Sequence, residues 1–168
     1  ALDLYNKLED PDWGPDISYL HIDELLTYVK PSTGENRKWE DVPDDIKEVF
    51  DKLGIPEDEK KNLAGVGAQF DSEMIYHNLT EKMKELGVIY TNFDVAIQEY
   101  PELVKEYFTK AVPLNDHKYI ALHYALFSGG SFVYIPKGVK LENPLQSYFR
   151  LNSKGSGQFE HTLIVVDE

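Results

Sequence analysis

The side chains able to do chemistry are five histidines (His21, His77, His117, His123 and His161) and thirty carboxylates. Cysteine is absent. That removes disulfides, thiolate nucleophiles, thiolate zinc sites and cysteine-ligated clusters from what this chain does alone. No two histidines stand at i and i+4 or as H-x-H, the spacings that aim two imidazoles at one ion. His117 and His123, six residues apart, fall on different sides of a helix, so no metal site is expected from these residues. The carboxylate runs EDVPDD and PEDEK sit at expected helix starts, where negative charge meets the positive end of the helix dipole. That role accounts for them without general acid–base chemistry.

Two glycine motifs invite a phosphate-loop reading and fail it. The AGVGA segment at Ala64–Ala68 has no strand before it, no third spaced glycine and no Gly-Lys-Ser/Thr after it. It reads as a backbone turn between helices. SGGS at Ser128–Ser131 reads as the turn that launches the first strand. Without a Walker lysine the chain is not itself an ATPase, and no G-x-S-x-G nucleophile elbow is present.

The segment PLQSYFRLN is more informative. Alternation places Leu145, Ser147, Phe149 and Leu151 on one face and Gln146, Tyr148, Arg150 and Asn152 on the other. A face of that second kind either lines a polar channel or meets water. The pattern by itself favours water.

The elements that must position these residues follow from apolar spacing. Residues 1–16, with two prolines, a glycine and Trp13, read as an extended lead-in. Ile22, Leu25, Leu26 and Val29 predict a helix that Pro31 ends. Ile46, Val49, Phe50 and Leu53 predict a second, with Gly54 as its stop. A third is expected from Pro56. A fourth runs from about Ser72 to Leu86 on the stripe Ile75, Leu79, Met83 and Leu86, with Gly87 ending it. A short VIY segment is followed by helical stretches around Val95–Glu99 and Pro101–Phe108, and KYIALHYALF favours helix. Beyond Phe127 the segments SFVYI, PLQSYFRLN and QFEHTLIVV read as strands.

The chain has 168 residues, 42% of them hydrophobic, enough to bury a core. Thirty acidic against seventeen basic residues leave a net charge of -13. A surface of that sign repels phosphate backbones and anionic lipid heads, so neither nucleic acid nor membrane is an expected partner. No apolar run nears the roughly 20 residues of a spanning helix, and the first residues lack a signal-peptide pattern. The expected location is the cytoplasm. LIVVDE is strong strand sequence without a closing turn, an open edge of the kind proteins cover, and predicts a chain cut short.

Nine segments in order, PDWGPDIS, DELLTYVKP, WEDVPDDIK, DKLGIPEDE, LAGVGAQFDSE, EYPELVKEYF, SGGSFVYIPKGV, PLQSYFRLN and GQFEHTLIVVDE, resemble the SufB family from about Pro11 to Glu168. That family is the scaffold subunit of the SUF iron–sulfur cluster assembly machinery; its paralogue SufD shares the β-strand region, and the helical segments here look like SufB.

The resemblance implies an α+β fold: a mainly helical N-terminal domain over 1–127, then the first strands of a right-handed parallel β-helix over 128–168, truncated there. It implies no enzyme of its own but a scaffold that accepts sulfur and builds clusters. The implied partners are a SufC-like ABC ATPase, a SufD-like paralogue or second SufB copy, and a cysteine desulfurase relay. The iron–sulfur cluster belongs to the full-length family protein, and no cofactor or metal is expected on this chain. An arginine and an asparagine on an early β-helix strand help move sulfur in the family; they match Arg150 and Asn152 in YFRLN. This chain departs from the family at His161, where members often carry an arginine. The competing expectation is a complete, cysteine-free structural or binding module without scaffold activity.

Overall fold

The structure is a computed structural model that describes residues 1–36, 38–52 and 63–168. The third helix expected from Pro56, and Leu53 and Gly54 at the end of the second, lie outside the described residues.

The described chain is α+β, built as two three-stranded sheets between helical layers. Strands β1 (Gly65–Phe70), β2 (Glu73–Leu79) and β5 (Leu145–Arg150) form one sheet in the order β2-β1-β5. Strands β3 (Ile89–Asn92), β4 (Ser131–Ile135) and β6 (Leu163–Val166) form the other in the order β3-β4-β6. Each sheet holds one antiparallel pair, β1/β2 or β3/β4, and one parallel pair, β1/β5 or β4/β6. Both sheets therefore join strands from before and after residue 127.

Helix α2 (Asp44–Lys52) covers the outer face of the first sheet. Its Ile46 and Phe50, one turn apart, are buried with Val66, Ala68, Phe70 and Tyr76. Asp44 and Asp45 in its first turn and Lys52 in its last complement the dipole. Between the sheets lie Ala64, Leu79, Tyr90, Val133 and Ile135, joined by Met83 of α3 (Glu81–Glu85). On the far side of the second sheet, α4 (Phe93–Glu99) and α5 (Pro101–Tyr107) pack Phe93, Ala96 and Val104 against Phe132 and Val165. Asn92 caps α4 by accepting from the Asp94 N–H at 2.9 Å, and Pro101 opens α5. Helix α6 (Lys118–Leu126) is apolar on nearly all sides, and His117 caps it through Nδ1. The first residues pack on it: Asp10 Oδ1 accepts from the Tyr119 hydroxyl at 2.9 Å and pairs with Lys118 at 3.1 Å.

Four sequence expectations are corrected. The lead-in contains a short helix, α1 (Leu2–Tyr5). The spacing at Ile22–Val29 is not helical beyond a 3-10 turn at Ile22–Glu24, because Leu26 bridges to the loop at Ser156 and is 57% exposed. Ser72–Leu86 is not one helix but β2 followed by α3, with Gly87 (φ +78) ending α3 as expected. AGVGA is not a turn but the start of β1.

The reason for the last is steric. A Cβ on Gly67 would stand 2.8 Å from the Tyr90 hydroxyl oxygen, and one on Gly65 2.8 Å from the Tyr90 ring. The glycines let a tyrosine from the other sheet lie against the strand.

Candidate functional site

Of the two residues singled out from the sequence, Arg150 ends strand β5 and Asn152 lies just past it. The register of β5 with β1 pairs Gln146 with Val66, Tyr148 with Ala68 and Arg150 with Phe70. Those β1 partners all belong to the cluster under α2, and Tyr148 packs there too. Tyr148 on this face packs under α2, a helix from about a hundred residues earlier, and Gln146 and Arg150 beside it are half-buried, so the face meets water only in part. Asn152, past the strand end, is exposed.

The opposite face looks into the space between the sheets and is polar along its centre. The Tyr90 hydroxyl donates to the Gln146 carbonyl at 2.7 Å and lies 2.6 Å from Ser147 Oγ, which in turn lies 2.9 Å from Ser131 Oγ. Burial raises the Tyr90 phenol above its ordinary value, so it stays a neutral donor.

Arg150 is half-buried, and its Nε has no hydrogen-bond partner among the described residues. No acidic side chain pairs with it among them. A guanidinium cannot shed its charge, so a partly buried donor without a partner leaves attraction for an anion unspent. Asn152 contributes first through its backbone, whose N–H donates to Asp71 Oδ1 at 2.8 Å.

Asp71 organises this end of the sheet, and sequence reasoning missed it. It is 4% exposed and has φ 52, in the turn between β1 and β2. Its carboxylate accepts from Asn152 N, Ser153 N and Ser153 Oγ at 2.8, 2.9 and 2.9 Å. Its own N–H donates to the Arg150 carbonyl at 2.7 Å. The Gln69 and Gln158 amides both donate to its carbonyl. Gln69, fully buried, also accepts from the Gly130 N–H at 2.7 Å, which ties this corner to the start of β4. The available signal was a glutamine inside an otherwise apolar strand, followed two residues later by an aspartate.

His123 and His161, 38 residues apart in sequence, meet at 2.8 Å between Nε2 and Nδ1. Among the described residues no group of three or more His, Cys, Asp or Glu side chains is placed to hold a metal ion. A cleft of about 620 Å³ lies elsewhere, between residues 5–23 and the start of α6. Its Asp10 is already taken by Lys118 and Tyr119. No helix among the described residues is long and apolar enough to cross a membrane.

Comparison with known proteins gives a consistent result. A family model described as "SufBD protein N-terminal region" matches residues 24–147. An iron–sulfur cluster assembly SufBD family protein of Staphylococcus haemolyticus is 54% identical over 168 residues, which is 100% of this chain and 36% of that protein. Proteins of the same description from two Staphylococcus aureus strains, USA300 and NCTC 8325, are 52% identical over the same 168 residues, again 36% of their length. The chain thus spans about a third of the relatives it matches.

Proposed function

The chain belongs to the SufBD family, and on that premise we propose that it is the N-terminal part of a SufB-type scaffold for iron–sulfur cluster assembly. The match of residues 24–147 to the family's N-terminal region carries the reading. The whole protein is a platform rather than an enzyme. It works in the cytoplasm with a SufC-like ABC ATPase, a SufD-like paralogue or second SufB copy, and a cysteine desulfurase relay. The cluster is its product and is held by residues outside this chain, which contains no cysteine.

A parallel β-helix that begins within this chain is part of the proposal. What supports it is the path of the last three strands. From β4 the chain passes to β5 in the other sheet and returns to β6, which pairs parallel to β4, while β5 pairs parallel to β1. Successive turns of a coil deposit strands in this alternating way, and parallel crossovers are right-handed in nearly all proteins.

Arg150 and Asn152 are the proposed sulfur-path residues. A persulfide is an anion in transit, and Arg150 offers it a fixed charge with an Nε that has no partner among the described residues. Asn152 adds an exposed amide two residues on. Arg150→Ala in the full-length protein is expected to lower cluster assembly in cells while complexes with the ATPase and the paralogue still form. Normal cluster assembly by that variant would overturn the role.

A further inference from the structure

Two imidazoles that play no part in the sulfur path meet between α6 and the segment leading into β6. His123 Nε2 and His161 Nδ1 are 2.8 Å apart, and the ring centres are 5.1 Å apart. Taking 2.8 from 5.1 Å leaves 2.3 Å, about twice the roughly 1.15 Å from an imidazole centre to its nitrogen. No larger centre separation is possible at that contact, so both nitrogens and both centres lie on one line. The lone-pair axes of the two facing nitrogens coincide.

That geometry discriminates among ions. Zinc or iron(II) binds imidazoles whose lone pairs converge from different directions, at bonds of about 2.0–2.1 Å. A head-on pair offers a single axis instead. An ion on that axis takes one nitrogen from each side, the linear arrangement preferred by monovalent d10 ions, and needs the nitrogens about 4 Å apart. The rings must therefore part by about 1.2 Å, a side-chain adjustment.

The surroundings favour low charge and low coordination number. Phe93, Phe108, Phe127 and Tyr124 stand 4.7, 5.1, 5.2 and 5.4 Å from the His161 ring, centre to centre. Aromatic walls supply no third ligand, hinder water and attract a cation through their faces. Desolvating a single charge costs about a quarter of what a double charge costs, since the Born energy grows as charge squared. Burial holds both imidazoles below their ordinary value, His161 at about 4, so neither ring is protonated near neutrality. The negative charge of Glu160 acts on His123 and offsets an added positive one.

We propose that His123 and His161 form a two-coordinate site for a soft monovalent cation of the copper(I) and silver(I) class. In the metal-free pair one ring's N–H points at the other ring's nitrogen. On binding, that proton moves to the outer nitrogen of its own ring, both inner nitrogens donate lone pairs, and the chain keeps its protons and electrons.

Silver(I), added as the nitrate to chain labelled with 15N at histidine in chloride-free buffer near pH 7, tests this. The expected result is one silver ion per chain, large 15N shifts at His123 Nε2 and His161 Nδ1 alone, and no proton release. His161→Phe keeps an aromatic ring in the box, and is expected to bind at least about tenfold more weakly. Replacing His21 and His117 by phenylalanine is expected to leave affinity unchanged. Circular dichroism reports whether each variant is folded, and the nitrogen shifts of the parent chain decide the matter if His161→Phe is not. Absence of binding, silver held without those two shifts, or undiminished affinity in folded His161→Phe would overturn the proposal.

Discussion

A buried carboxylate with no ion-pair partner among the described residues has to be satisfied by donors, and Asp71 is. Two backbone N–H groups and one hydroxyl from residues 152–153 point at it, and its own N–H reaches the Arg150 carbonyl. This is how a short turn between β1 and β2 dictates the path of the chain just after β5. Removing the acceptor costs about 1–3 kcal/mol for a donor that water cannot reach, though exposed Asn152 and half-buried Ser153 can turn partly to water, and it places a non-glycine Cβ without local hydrogen bonds at positive φ. Asp71→Ala is therefore expected to lower unfolding stability by about 2–4 kcal/mol, read from the urea midpoint. Asp71→Asn keeps one acceptor oxygen and tolerates φ 52, so it is expected to lose less than half as much. Equal losses in the two variants would mean that the side-chain hydrogen bonds at this corner contribute little.

At the level of elements, α2 shows what local pattern can reveal and what it cannot. Its stripe of Ile46, Val49 and Phe50 reads as helix from spacing, and the helix forms there. What the helix covers is set by contacts far along the chain, including Tyr148. For that reason the parity of Gln146, Tyr148 and Arg150 was legible and their surroundings were not. Strand β2 was illegible for a different reason: Met74, Ile75 and Tyr76 are all buried, so the strand lacks the alternation that would have marked it. The spacing of Ile75, Leu79 and Met83 then imitated a helix. The His123–His161 contact crosses 38 residues and leaves no trace in local spacing. Phe50, 1% exposed, is the anchor of the α2 layer and touches Phe70 and Trp39 edge-on or tilted. Phe50→Ala is expected to cost about 3–5 kcal/mol, while Val49→Ala, only partly buried, is expected to cost well under half of that. Urea unfolding of both variants checks the ratio, and similar losses would mean that α2 is not anchored through Phe50.

For the whole molecule, acidity sets two effects against each other. The net charge of -13 repels itself, and protonating carboxylates relieves that repulsion. Ordinary carboxylates titrate near pH 4, so little relief comes between pH 7 and 5. His161 responds in that window. Burial first, and then the neighbouring His123, lower its folded value from 6.5 to about 4. The fold thus favours the neutral ring, and the unfolded chain binds the extra proton between those two values. The contribution is full above about pH 6.5 and is lost as pH falls through about 4. Partial exposure screens it, leaving about 1–2 kcal/mol between pH 7 and 5, or a Tm lower by about 2–6 °C. His161→Phe keeps the aromatic packing and removes the share of His161, leaving that of His123, whose value burial also lowers. Its Tm is therefore expected to fall by less than the parent's across the same interval, as thermal melts at pH 7, 6 and 5 would show. A parent chain as stable at pH 5 as at pH 7 would mean that relief of the acidic charge already outweighs the histidine, and that the aromatic box admits enough water to solvate an imidazolium.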